Sequence, residues 1–131
     1  MCGIIAVLSR RDGRTPPTAA ELSTLLATAH DSVATDPAGA ASALTAVDKA
    51  LRGLPGVIAL TNEAQLIDSI IAALADIEGK VAELEAEVES GTRDDDAAVI
   101  ALRDASWAIG RDRIRTAQGV HELADLSLIH I

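Results

Sequence analysis

The residues best suited to chemistry stand at the start of the chain, as Met1-Cys2-Gly3-Ile4. Removal of Met1 would give Cys2 both a thiol nucleophile and a free α-amino group, whose pKa is about 8. This amine can accept the thiol proton and later donate it to a leaving ammonia, so one residue serves as nucleophile and base. Gly3 adds no side chain beside the reacting centre. The pattern predicts a catalytic Cys2; the alternative is a small buried hydrophobic residue.

The residues that follow must hold this terminus in place. Residues 4–8 form a short, continuous apolar run rich in β-branched side chains, and a polar stretch at 9–14 follows it. This pattern favours a buried β-strand over a helix, because the run is short and lacks a period of 3.6 residues. We expect the strand to anchor Cys2 in a sheet.

A Met-Cys-Gly-Ile start followed by a hydrophobic strand resembles the class II glutamine amidotransferases, over about residues 1–10. The resemblance implies that Cys2 attacks the side-chain amide of glutamine, forms a thioester and releases ammonia. It implies Gly3 as the substrate-binding partner of Cys2, no cofactor or metal, and a parent domain with an α/β four-layer fold. That family also binds glutamine through an Asn-Gly pair, an arginine and an aspartate. No Asn-Gly pair occurs here, since Asn62 is the only asparagine, and only Cys2 and Gly3 are carried over.

The ammonia acceptor is suggested by a second resemblance. Residues 46–53 resemble a stretch in large relatives of glucosamine-6-phosphate synthase. This implies ammonia transfer to fructose 6-phosphate, forming glucosamine 6-phosphate, in C-terminal sugar-phosphate isomerase domains missing from this chain. Two alternatives stay open. One is an asparagine-synthetase-like amidotransferase, and the other is a non-enzymatic helical interaction protein that pairs through a long hairpin with itself or another helix.

Composition predicts a mainly α fold. Ala and Leu dominate the apolar residues, Tyr and Phe are absent, and Trp107 is the only aromatic residue. The net charge of −9 disfavours a nucleic-acid partner, because such partners select basic surfaces. No segment approaches the roughly 18 apolar residues of a membrane span. We therefore expect a cytoplasmic protein with no membrane partner.

Capping signals place the first two helices. Thr18 and Glu21 have the spacing of a capping box, which predicts a helix that runs to about Val33. Asp36-Pro37 predicts the start of a second helix, with Asp36 as the N-cap and proline in the first turn. Gly53 is the predicted C-terminal cap of this second helix. Leu54-Pro55-Gly56 is expected to break the chain.

The second half of the chain predicts a long antiparallel hairpin of two helices. The first should start near Asn62, with Gln65 in capping-box position, and end at Ser90-Gly91. Thr92 and Asp95 form a further capping box before the second. The hairpin is expected to project from, or lie on, a larger body. Its apolar faces are predicted to be Leu66, Ile70, Leu74, Ile77, Val81, Leu84 and Val88, then Val99, Leu102, Ser106, Ile109, Arg113, Ala117 and Val120.

The remaining polar and aromatic candidates favour structural roles. His30, His121 and His130 lack the spacing of metal ligands, and the three aspartates at 94–96 suit the positive end of a helix. Trp107 is expected to be a packing anchor. A local basic cluster could instead offer a docking surface for missing domains; it comprises Arg111, Arg113 and Arg115.

The expected organisation has three parts. Residues 1–14 are the first strand and nucleophile of an amidotransferase domain, and residues 15–124 are a helical insertion. Residues 125–131 are a non-native tail, because the string Leu-Ser-Leu-Ile-His-Ile at 126–131 resembles a translated sequencing adaptor. The chain is therefore expected to be a fragment of a longer enzyme, inactive alone, whose helices could mediate self-association.

Overall fold

The computed structural model describes residues 15–120, of which 84% are helical. This confirms the predicted mainly α class for that range, whereas the predicted strand at residues 4–8 lies outside the described residues. The helices are α1 Ala19–Ser32, α2 Pro37–Ala50, α3 Gly53–Asn62, α4 Ala64–Glu89 and α5 Asp96–Ala108. Helix α5 continues without a break through a π-helical segment, Ile109–Ile114, into residues 115–120.

Side-chain caps begin the first two helices as predicted. The Glu21 amide donates to the Thr18 hydroxyl at 3.2 Å, and the Thr18 amide donates to the Glu21 carboxylate at 3.4 Å. The capping box of α1 is therefore complete. At the start of α2, Asp36 accepts a hydrogen bond from the Gly39 amide at 3.1 Å. The following Pro37 needs no such partner, because it has no amide hydrogen.

The predicted break after α2 is wrong. Helix α2 ends at Ala50, with Leu51 as its cap, and Gly53 begins α3 with φ of +72° instead of capping α2. Leu54-Pro55-Gly56 forms part of the first turn of α3. Proline is accepted there because the first amides of a helix have no intrahelical acceptor.

Two predicted caps in the second half are also wrong. Asn62 ends α3, and Glu63 precedes α4 without a side-chain cap. Asp95 is the N-cap residue of α5 but makes no capping hydrogen bond. Its carboxylate binds Arg93 at 2.8 Å instead, and the Thr92 hydroxyl donates to the Glu87 carbonyl at 3.0 Å.

The helices form a four-helix bundle with α3 across one end. Hairpins α1–α2 and α4–α5 pack side by side, with α1 against α4 and α2 against α5. These two cross-hairpin pairs are parallel: Lys80 donates to the His30 carbonyl near the end of α1, and Arg113 binds Asp48 near the end of α2. Helix α3 therefore carries the chain diagonally from α2 to α4.

The long hairpin is confirmed, and its apolar face lies on the α1–α2 hairpin. Six of the seven predicted α4 core positions are buried, and the seventh, Val88, is partly buried against the same core.

No single helix within residues 15–120 is long and apolar enough to cross a membrane. Taken together, α3 and α4 have the required length and apolarity, but they meet at a bend of 106°.

The π-helical segment changes which residues of α5 face the core. Five of the seven predicted core positions are buried: Val99, Leu102, Ser106, Ile109 and Ala117. The core contains Ile114 where Arg113 was predicted, and Val120 is exposed. Ile114 follows Ile109 by five residues, the spacing of a π-helical turn. The extra residue turns Arg113 sideways toward α2.

Candidate functional site

The predicted catalytic and substrate-binding residues, Cys2 and Gly3, lie outside the described residues. The same holds for His121 and His130. His30 lies at the end of α1, half-buried, with Nδ1 at 3.3 Å from Asp31 Oδ1. No group of three potential metal-binding side chains occurs within residues 15–120.

The aspartates at 94–96 surround the start of α5. Arg93 links this loop to α4 through Glu87 at 3.0 Å and to the α1–α2 loop through the Ala34 carbonyl at 2.9 Å. Its third contact is the Asp95 carboxylate, at 2.8 Å. The carboxylates of Glu87, foremost, and Asp95 raise the pKa of Arg93. Arg93 therefore joins the two loops at one end of the bundle.

The predicted basic cluster is divided among three environments. Arg113 turns toward α2, where its Nε lies 2.8 Å from Asp48 Oδ1. Arg111 forms two hydrogen bonds with Asp112, at 2.8 and 3.1 Å. Those bonds raise the pKa of Arg111 and lower the pKa of Asp112. Arg115 lines a depression between α4 and the end of the π-helical segment. The cluster is thus not one surface.

Trp107 is not the packing anchor that the sequence suggested, because 57% of its surface is exposed. It follows the buried Ser106 and so points out of the bundle. The guanidinium carbon of Arg111 lies 4.0 Å from the centroid of the indole ring, which is a cation–π contact. Trp107 is thereby held in place as an exposed aromatic platform.

An open groove of about 550 Å³ lies between α4 and α5 at Trp107. Val81 and Ala82 supply its remaining apolar surface. Charged groups surround it: Arg103 lies 3.9 Å from Glu85 and 3.6 Å from Asp104, and Ser106 donates to Glu78 at 3.2 Å. An indole with apolar and ion-pairing neighbours is suited to binding a partner more than to bond-breaking chemistry.

The sequence contained a signal for this groove. The buried positions of α5 include Ser106 and Ile109, and Trp107 lies between them, off the core face. Ile100 precedes Trp107 by two helical turns and is likewise exposed. The predicted core face alone would therefore have assigned both side chains to the outer surface.

Comparisons with known proteins identify no relative. No family model matches the chain, and neither the curated proteins nor the solved structures contain a significant match.

Proposed function

We propose that this chain belongs to a glutamine amidotransferase in which Cys2 hydrolyses glutamine. The ammonia released would be transferred to fructose 6-phosphate, forming glucosamine 6-phosphate, in sugar-phosphate isomerase domains beyond this sequence. The single observation that carries this proposal is the Met1-Cys2-Gly3-Ile4 start, followed by an apolar run. A helical body with its own core at residues 15–120 is compatible with the proposed insertion at 15–124.

The bonds of the proposed reaction are made and broken among the first residue of the processed chain, glutamine and water. The α-amine of Cys2 takes the thiol proton, and the thiolate attacks the side-chain carbonyl carbon of glutamine. The carbon–nitrogen bond breaks as the amine returns its proton to the leaving ammonia. Water then hydrolyses the thioester, which releases glutamate and restores the thiol. Gly3 leaves room for the substrate beside this centre.

The processed terminus is tested first. Intact mass measurement of the full chain should show that Met1 has been removed, because the mechanism requires a free Cys2 amine. The control is a chain with one alanine inserted between Met1 and Cys2, which retains the thiol but blocks its amine in a peptide bond. Retention of Met1 on the native chain would contradict the proposal.

Cys2 reactivity is tested next in the parent protein, expressed from the extended locus, because this chain alone is expected to be inactive. A diazoketone analogue of glutamine should label Cys2 of that native chain, located by peptide mapping, and excess glutamine should protect it. The alanine-insertion control and Cys2→Ala should not be labelled, whereas iodoacetamide should alkylate both thiol-containing chains. Equal labelling of the native and insertion chains, without protection by glutamine, would show ordinary thiol reactivity and reject a glutamine site.

The acceptor requires a separate experiment, since an asparagine-synthetase-like enzyme would use the same Cys2 chemistry. Sequencing the source locus beyond the codon for Ala124 should reveal an Asn-Gly pair, a downstream aspartate and sugar-phosphate isomerase domains. If a different synthase domain follows, the ammonia acceptor is not fructose 6-phosphate. The proposed hydrolysis of glutamine by Cys2 would be unaffected.

The groove at Trp107 favours a second function, a helical interaction module, which the same chain can combine with an enzymatic terminus. Its exposed indole beside apolar and charged side chains is typical of a binding surface. If Cys2 proves unreactive toward the glutamine analogue, interaction through the helices becomes the principal function.

A further inference from the structure

The exposed apolar side chains of the bundle are concentrated on one face. Within residues 15–120, four large apolar side chains are exposed: Ile71, Ile100, Trp107 and Val120. Ile100 lies two turns before Trp107 on α5, and Ile71 lies seven and fourteen residues before Glu78 and Glu85, which line the groove at Trp107. The first three therefore lie on the outer face shared by α4 and α5. We call this surface the hairpin face.

The hairpin face has an α4 edge and an α5 edge, by which we mean the part of the face that each helix contributes. The two edges differ in charge. The α4 edge carries Glu78 and Glu85, whereas the α5 edge carries Arg103 and Arg111. Each of these arginines lies beside an aspartate, at 3.6 Å for Arg103 and 2.8 Å for Arg111. The α5 edge is therefore close to neutral and offers guanidinium donors, while the α4 edge is anionic.

We propose that the hairpin face binds a second copy of this chain, related by a two-fold axis that runs parallel to α4 and α5. Such an axis places the α4 edge of one copy over the α5 edge of its partner at the same height. Within one chain, Glu85 and Arg103 lie at the same height along the helices, 3.9 Å apart. The axis thus brings the acidic edge of each copy to the arginines of the other. An axis perpendicular to the helices would instead stack α4 on α4, carboxylates against carboxylates.

The size of the face fits this partner. Helix α4 has 26 residues and is about 39 Å long, and two adjacent helices are about 20 Å wide. The projected area is about 800 Å², close to what each partner contributes to a standard interface. A solvent-exposed indole at the centre of such a face is a typical energetic anchor. Because the edges are charged, we expect a reversible dimer with Kd of roughly 1–100 µM.

The first test uses the full chain and its single tryptophan. Sedimentation velocity should show monomers that convert to dimers with increasing concentration. Trp107 emission should shift to shorter wavelength over the same concentration range, because dimer formation removes the indole from water. A chain that stays monomeric up to about 1 mM, or a dimer whose formation leaves Trp107 emission unchanged, would overturn the proposal.

A pair of matched variants locates the interface. Ile100→Glu should weaken dimerisation at least about tenfold, because it places a charge among the exposed apolar side chains of the hairpin face. Val120→Glu is the control: Val120 is 38% exposed, compared with 46% for Ile100, and it lies seven residues after Arg113, on the side toward α2. Circular dichroism should show that both variants fold. Equal weakening by both variants would refute the hairpin face as the interface.

Charge reversal tests the direction of the axis. Glu85→Arg and Arg103→Glu should each weaken the homodimer, because each brings like charges together. An equimolar mixture of the two variants should form a heterodimer more tightly than either variant forms its own dimer. This rescue needs contacts between chains, so a purely internal role of the pair cannot produce it. Single variants that dimerise as tightly as the native chain would exclude the parallel axis, because with α4 stacked on α4 each changed side chain meets only its own copy. A mixture no tighter than the separate variants would exclude contact between these side chains across the interface.

Discussion

Gly56 and Gly79 predict opposite responses to the same substitution. Gly56 is buried in the first turn of α3, and a Cβ at this position would overlap the backbone carbonyl of Leu51 at the end of α2. Backbone atoms cannot rotate away as a flexible side chain can. Gly79 lies exposed in the middle of α4, where an added Cβ meets nothing within 4 Å. We therefore expect Gly79→Ala to stabilise the bundle and Gly56→Ala to destabilise it.

The magnitudes follow from helix propensity and packing. Alanine is favoured over glycine within a helix by about 1 kcal/mol, so Gly79→Ala should raise the free energy of unfolding by about 0.5–1 kcal/mol. Gly56→Ala gains part of the same stabilisation from helix propensity, but its added methyl group must push α3 away from α2. Overpacking of this kind costs about 1–3 kcal/mol. The two variants should differ by about 1–4 kcal/mol, with Gly56→Ala less stable than the native chain.

Urea unfolding followed by far-ultraviolet circular dichroism measures both free energies. In thermal unfolding, each 1 kcal/mol should shift the Tm by about 3–5 °C for a chain of this size. Gly79→Ala serves as the control for helix propensity, because its new methyl group is unhindered. If Gly56→Ala stabilises the protein as much as Gly79→Ala does, α3 does not pack closely against the end of α2.

Two further predictions concern ion pairs. Arg113→Gln should lower the free energy of unfolding in urea by about 1–2 kcal/mol, because Arg113 and Asp48 are only 21% and 14% exposed. Arg103→Gln, at a site 55% exposed, should lower it by less than about 0.5 kcal/mol. Equal losses in the two variants would contradict this distinction between half-buried and exposed ion pairs. Arg111→Gln should raise the pKa of Asp112, measured by carbon NMR of the carboxyl group, because the hydrogen bond from Arg111 lowers that pKa. The contribution of this pair to stability is present above the ordinary Asp pKa of about 3.9 and is lost as the pH falls through the lowered pKa; an unchanged Asp112 pKa in Arg111→Gln would refute this cause.

Local rules predicted the parts of the fold that local interactions determine. The capping box of Thr18 and the Asp36-Pro37 start each involve residues at most three apart, and both appear in the structure. The apolar period of α4 likewise identified its buried face, because a helix that covers one side of a core repeats its contacts every three or four residues. These signals need no knowledge of the neighbouring helices.

Tertiary contacts determine what the sequence failed to predict. Leu54-Pro55-Gly56 combines two residues that usually interrupt helices, yet here proline occupies a first turn and glycine permits close contact with α2. The exposure of Trp107 depends on the direction in which α5 faces the other hairpin. Cys2 and Gly3, the residues of the proposed glutaminase, lie outside the described residues and stay predictions from the sequence.

The π-helical segment leads to a prediction that separates local geometry from the core pattern. Deleting Gly110 would place Ile114 four residues after Ile109, the ordinary spacing of an α-helix, and keep Ala117 three residues after Ile114. The inner face of α5 would then remain continuous, and Arg113 would still precede Ile114 and point toward α2. We expect the deletion variant to unfold cooperatively, with a loss below about 2 kcal/mol, the scale of rearranging one or two backbone hydrogen bonds.

Deleting Gly79 is the matched control, because it removes a glycine from a regular α-helix. Every later residue of α4 would turn by about 100°, which moves Val81, Leu84 and Val88 off the core face. Each buried aliphatic side chain lost from the core costs about 2–5 kcal/mol, so this variant should fail to fold, as judged by circular dichroism and proton NMR dispersion. If the Gly110 deletion unfolds the chain as completely, the π-helical turn is required by the bundle and is not simply the accommodation of one extra residue.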